Sequence, residues 1–162
     1  MKDVNTEDLV TMFYNGGKIS RAAILAELGR RFFEGDSNPD VPNQLLSIFT
    51  GRLNSTLLAE GVEDVDQQKK LVCEVQENCF AFLWASRKRL NRTAIQVLDM
   101  VEANPPHPRF FEVVIDKMMA SDMKAAADEI RQRHPSGTGG VAKAHYDLPF
   151  PHEKYPEPIR PD

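Results

Sequence analysis

The stretch from residue 104 to residue 109, NPPHPR, constrains this chain more than any other. Proline disfavours helical geometry in the residue before it and lacks the N–H a helix interior needs, yet its fixed φ suits the first turn of a new helix. Prolines at 105, 106 and 108 therefore stop one helical pattern and let another begin at once. Upstream, Val72, Val75, Cys79, Phe82, Ser86, Leu90, Ala94, Val97 and Val101 fall at alternating threes and fours, a coiled-coil-like seam. This spacing predicts one helix from about Asp64 to Ala103, on the order of 57 Å long at 1.5 Å per residue. Downstream, residues 109 to 133 place Phe110, Phe111, Val113, Val114, Ile115, Met118, Met119, Met123, Ala126 and Ile130 at helical spacing. The expected unit, residues 63–134, is a long antiparallel helical hairpin that drives oligomerisation. Pro105, Pro106, His107, Pro108 and Arg109 form its elbow.

A helix that long exceeds what a domain of this size needs for itself, so its seam is expected to meet the next helix or another subunit. The residues assigned to that interface are Val72, Val75, Cys79, Phe82, Trp84, Leu90, Val97, Phe111, Val114 and Met118. Residues 1–62 read as a small N-terminal helical subdomain. A helix over 6–14 is capped by Asn5 or Thr6, a second runs from Ile19 to Phe33 and ends before Gly35, and a third starts at Pro42. No stretch alternates with the period of a strand, so the fold class is all-α.

Residues 135–162 hold six of the eleven prolines and three of the nine glycines, a composition that predicts an extended C-terminal tail. A purely solubilising tail needs no apolar anchors, but this one carries Tyr146, Phe150 and Tyr155, which reads as a docking peptide for a partner. The SGTGG at 136–140 follows a helix and lacks the lysine and following helix of a phosphate loop, so it reads as a linker.

Twenty basic residues against 24 acidic ones exclude a globally cationic nucleic-acid binder. The acidic start and the lack of a long apolar run predict a soluble cytoplasmic protein without membrane attachment. Cys73 and Cys79 are six apart on one helix, about 240° around its axis, and read as buried reduced thiols. The histidines stand outside metal-ligand spacing and no catalytic constellation is visible, so neither metal, cofactor nor enzymatic activity is expected.

A helix ending in TAIQVLDMVEANPP and followed by HPRFFEVVIDKMM resembles the small terminase subunit of large contractile-tailed bacteriophages, over about residues 75–134. The resemblance implies a ring-forming, non-enzymatic homo-oligomer that binds double-stranded viral DNA in the cytoplasm of the infected host. Its partner would be the large terminase subunit, whose packaging ATPase and nuclease it regulates. His107, Pro108, Arg109, Phe111, Glu112 and Val113 carry over as elbow and packing positions. The first 65 residues depart from the family pattern and leave DNA recognition open.

For DNA, the candidates are Arg87, Lys88, Arg89 and Arg92, whose repetition in a ring would sum into a positive band, together with Lys18 and Arg21 in a weak helix-turn-helix pattern. The opposing reading makes the cluster a solvated helix face. Trp84 could stack on a base but suits a buried interface anchor better. The rival functions are a helical assembly adaptor or virion structural protein without DNA binding, and a helix-turn-helix transcription regulator.

Overall fold

The computed structural model describes residues 1–50, 53 and 58–135. The fold is all-α, with seven helices and no strand among the described residues. They are α1 (Thr6–Asn15), α2 (Arg21–Phe33), α3 (Asp40–Thr50), α4 (Val65–Ala85), α5 (Arg92–Ala103), α6 (Phe110–Ala120) and α7 (Lys124–Arg133). The expected C-terminal tail and its anchors Tyr146, Phe150 and Tyr155 lie outside the described residues.

Local chemistry accounts for the helix ends. Asn5 Oδ1 accepts the Asp8 N–H at 2.8 Å and Ser20 Oγ accepts that of Ala23 at 3.1 Å, satisfying donors that a helix start leaves open. At the end of α2, Gly35 takes a φ of 115°, and the Asp36 N–H bonds to the Arg31 carbonyl at 2.9 Å. This left-handed cap turns the chain toward α3, and glycine adopts it without the strain of a side chain.

The single helix expected from Asp64 to Ala103 is two helices. After α4 the chain makes a 3-10 turn over Arg87–Arg89, and Leu90 is extended at φ −89° and ψ 150°. Asn91 then starts α5, its Oδ1 accepting the Ala94 N–H at 2.8 Å. An asparagine that binds the backbone ahead of it offers those donors an alternative to helix continuation, which is why it punctuates here. The helix expected over 109–133 is likewise divided. Asp122 adopts a φ of 59°, and the Met123 N–H reaches back to the Met118 carbonyl at 2.8 Å, closing α6 before α7 begins. Met118 and Met123 are both buried at that junction.

These breaks fold both halves onto one core. A continuous apolar cluster runs from Leu9 and Phe13 through Leu28, Phe49, Phe80, Leu98 and Met118 to Ile130. α4 lies at its centre and touches α2, α3, α5 and α6, with α2 its most extensive neighbour. At their crossing, a Cβ added to Gly29 would stand 2.5 Å from the Phe82 ring, so only glycine allows this approach. Cys73 and Cys79 are free and buried, and burial pushes both thiols up to about 12, leaving them without thiolate reactivity.

Gly29→Ala raises intrinsic helix propensity but forces the Phe82 ring off its seat. It should lower unfolding stability in urea by about 1–3 kcal/mol, the usual cost of overpacking. A stabilised variant would show that the crossing is loose.

Candidate functional site

The proline segment between α5 and α6 is fixed by a buried polar contact. Pro106 and His107 are buried, whereas Pro108 and Arg109 face solvent. His107 Nε2 lies 2.7 Å from Glu77 Oε2 on α4, and neither side chain is more than 1% exposed. The Arg109 backbone N–H points to His107 Nδ1 at 3.2 Å, which assigns the proton to Nε2 and makes it the donor to Glu77. The His107 carbonyl then accepts the Phe110 N–H at 3.1 Å, so the imidazole and its own backbone together start α6. Behind this lock, Phe110 and Phe80 pack edge to face at 5.2 Å, and Phe80 stacks on Trp84 at 5.8 Å. Arg109 closes the solvent side with two bonds to Glu112, at 3.2 and 2.9 Å.

In the basic cluster Arg87 and Arg89 are engaged by neighbouring elements, although Arg89 is itself exposed. Arg89 donates to the Phe32 carbonyl and, at 2.5 Å, to that of Asp36, and its guanidinium lies 4.4 Å from the centre of the Phe32 ring. It thereby satisfies the carbonyl end of α2, where a cation also suits the helix dipole. Arg87 pairs with Glu129 of α7, donates to the Trp84 carbonyl at 3.2 Å and lies over the Trp84 ring at 4.5 Å. Lys88 and Arg92 are exposed, and neither has an ion-pair partner among the described residues. In the N-terminal pattern, Lys18 is exposed, but Arg21 is turned inward, donating to the Phe13 carbonyl at 2.8 Å and pairing with Glu60.

The residues assigned to an oligomer interface are occupied within the protomer. Val72, Val75, Cys79, Trp84, Val97, Phe111, Val114 and Met118 belong to its own core, with Phe82 and Leu90 partly buried against it. Once the long helix breaks at Ser86, the seam closes on α2, α3 and α6 of the same chain. Among the described residues, Trp84 Nε1 and both amide atoms of Gln76 are buried without a hydrogen-bond partner. No group of three potential metal ligands occurs among the described residues.

Sequence reasoning missed Glu77, whose partner lies thirty residues away; its only signal was a carboxylate amid the buried residues of an apolar helix. It also missed a groove of about 720 Å3 between α2, α4 and the α6–α7 junction, with Ala23, Ala26, Phe33 and Phe82 among its lining residues. A second cavity of about 350 Å3 adjoins it, sharing Phe33 and Asp122 and continuing past Ala85 and Ala126 to Lys88. Along the groove wall, hydrogen bonds from Arg30, opposed by burial and reinforced by Arg31, hold the Glu27 carboxyl down at about 2. Thr6 likewise helps to lower Asp36. Burial raises Glu102, but bonds from Arg133 and His134 outweigh it and leave that carboxyl below its usual range.

His107→Ala leaves a buried carboxylate without its donor and should cost about 3–5 kcal/mol in chemical denaturation, whereas Glu77→Gln, which keeps an acceptor, should cost about 1–3 kcal/mol. Equal losses would mean that charge contributes nothing to the contact. Glu27 has a depressed folded pKa, so its stabilisation is complete above 4.5 and disappears as pH falls toward about 2. Glu27→Gln should therefore reduce stability at neutral pH and flatten the acid limb of the stability curve; an unchanged acid limb would remove the pair from the pH response. No family model, curated protein or solved structure matches this chain.

Proposed function

We propose that the chain acts by binding, as a non-enzymatic assembly factor of genome packaging of the small-terminase kind that its elbow segment resembles. The observation that supports this reading is how the segment is used. His107 is locked to Glu77, Phe110 and Phe111 enter the core, and Arg109 pairs with Glu112, so every one of these side chains serves placement and none is presented to a reacting group. In this reading the protein forms a homo-oligomer, engages double-stranded viral DNA and acts on the large terminase subunit in the cytoplasm of the infected host. Lys88 and Arg92 are the phosphate contacts, because Arg87 and Arg89 are committed to α7 and α2. Oligomer contacts then use surfaces outside the buried seam.

One observation favours the second reading, a helical adaptor without DNA binding. The cluster that looked cationic in sequence has Arg87 paired with Glu129, which cancels one of its charges and leaves a thinner field for phosphate.

DNA titration across a salt series separates the two. Under the packaging reading, Lys88→Glu with Arg92→Glu should weaken binding and reduce the slope of log K against log salt by about 2, roughly 0.9 for each phosphate contact. Native mass spectrometry of the same samples should show a closed assembly in both proteins. Absence of DNA affinity with the assembly retained supports the adaptor. A monomer without DNA affinity removes both readings.

A further inference from the structure

The two adjoining cavities form one trough that crosses the α2–α4 packing and ends against α7. Its character comes from small side chains beside large rings. Ala23 and Ala26 on α2, Ala85 on α4 and Ala126 on α7 leave the space, while Phe33 and Phe82, 6.3 Å apart and tilted by 50°, supply an aromatic floor. Arg30 and Glu34 line the first cavity and Lys88 and Glu129 the second, so both carry charges of both signs. An aromatic floor between helices suits proline-rich peptides, whose rings pack on aromatic faces and whose backbone needs no strand partner.

This chain itself carries such a peptide. Residues 146–158 read YDLPFPHEKYPEP, with prolines at 149, 151, 156 and 158 set among Tyr146, Phe150 and Tyr155. Its point of departure is favourable. The described chain ends at Pro135, just past α7, and α7 contributes Ala125, Ala126 and Glu129 to the trough. From Arg133 back to Ala125 is about 12 Å along the helix, whereas the residues between Pro135 and Tyr146 can reach about 33 Å. A tether this short supplies an effective concentration on the order of millimolar, so even a weak peptide site would be filled from its own chain.

We propose that the trough floored by Phe33 and Phe82 is the receptor for residues 146–158 of the same chain, with Phe150 and Tyr155 as its anchors. The docking depends on the trough alone and holds whether or not the protein works in packaging. Bound there, the segment covers the rings between α2 and α4 and shares the trough's far end with Lys88. It thus competes with any partner that approaches that lysine from the α2 side.

The test uses the full-length protein with Phe150 replaced by p-benzoylphenylalanine, irradiated and mapped by mass spectrometry. The expected adducts lie within one chain, on the peptides Ala23–Glu34, Asn78–Ala85 or Asp122–Glu129. Ala26→Arg in the first cavity and, separately, Ala125→Arg in the second fill the trough from exposed positions, and each should cut the yield about tenfold while leaving the circular dichroism spectrum unchanged. If either arginine disturbs the spectrum, the other carries the comparison. Adducts elsewhere on the molecule, or a yield that neither arginine lowers, overturn the proposal. Adducts found only between two chains overturn docking within a chain.

Discussion

Glu77 and His107 meet at 2.7 Å where neither reaches solvent, and the position of α6 depends on that contact. Removing both groups from water is expensive, and an apolar pair of the same volume is often no less stabilising. What the polar pair adds is direction. A hydrocarbon contact would let α6 slide along α4, but an imidazole fixed by the Arg109 N–H on one side and the Glu77 carboxylate on the other permits one register. The edge-to-face packing of Phe80 with Phe110 follows from that register, as does the stacking of Phe111 on His134 at 3.7 Å.

The charged side chains follow the same logic at lower density. Arg89 ties the turn after α4 to the Phe32 carbonyl of α2 and the Asp36 carbonyl of the loop after it, and Arg133 and His134 converge on Glu102, joining the last helix to α5. Each of these contacts links elements distant in sequence. A run of basic residues therefore says little about a positive surface until the carbonyls and carboxylates around it are known.

Much of the fold could be read from residue types. The all-α class, a cap at Asn5 or Thr6, the stop before Gly35 and the helix break at the prolines all rest on local chemistry that needs no knowledge of neighbours. The two internal breaks could not be read from periodicity. Val75, Cys79, Ala94 and Val97 keep their threes and fours across the turn at Arg87–Arg89, because both helices still face one core. Spacing records which side chains are buried and is silent on whether the backbone between them is continuous. The clue lay in residues able to cap or cross, Asn91 and Asp122, rather than in the apolar pattern. In the candidate site, the fates of Arg87 and Arg89 were set by Glu129, Phe32 and Asp36, which no local window contains.

Trp84 is the chain's only tryptophan, and two guanidinium groups lie against its ring, Arg87 from the turn after α4 at 4.5 Å and Arg133 from the end of α7 at 5.2 Å. Its indole is thus in contact with both ends of the segment that the elbow folds back. The molecule carries a built-in optical gauge of that closure: separation of α7 from α4 strips both cations from the ring and wets it, so its emission follows this joint without any label.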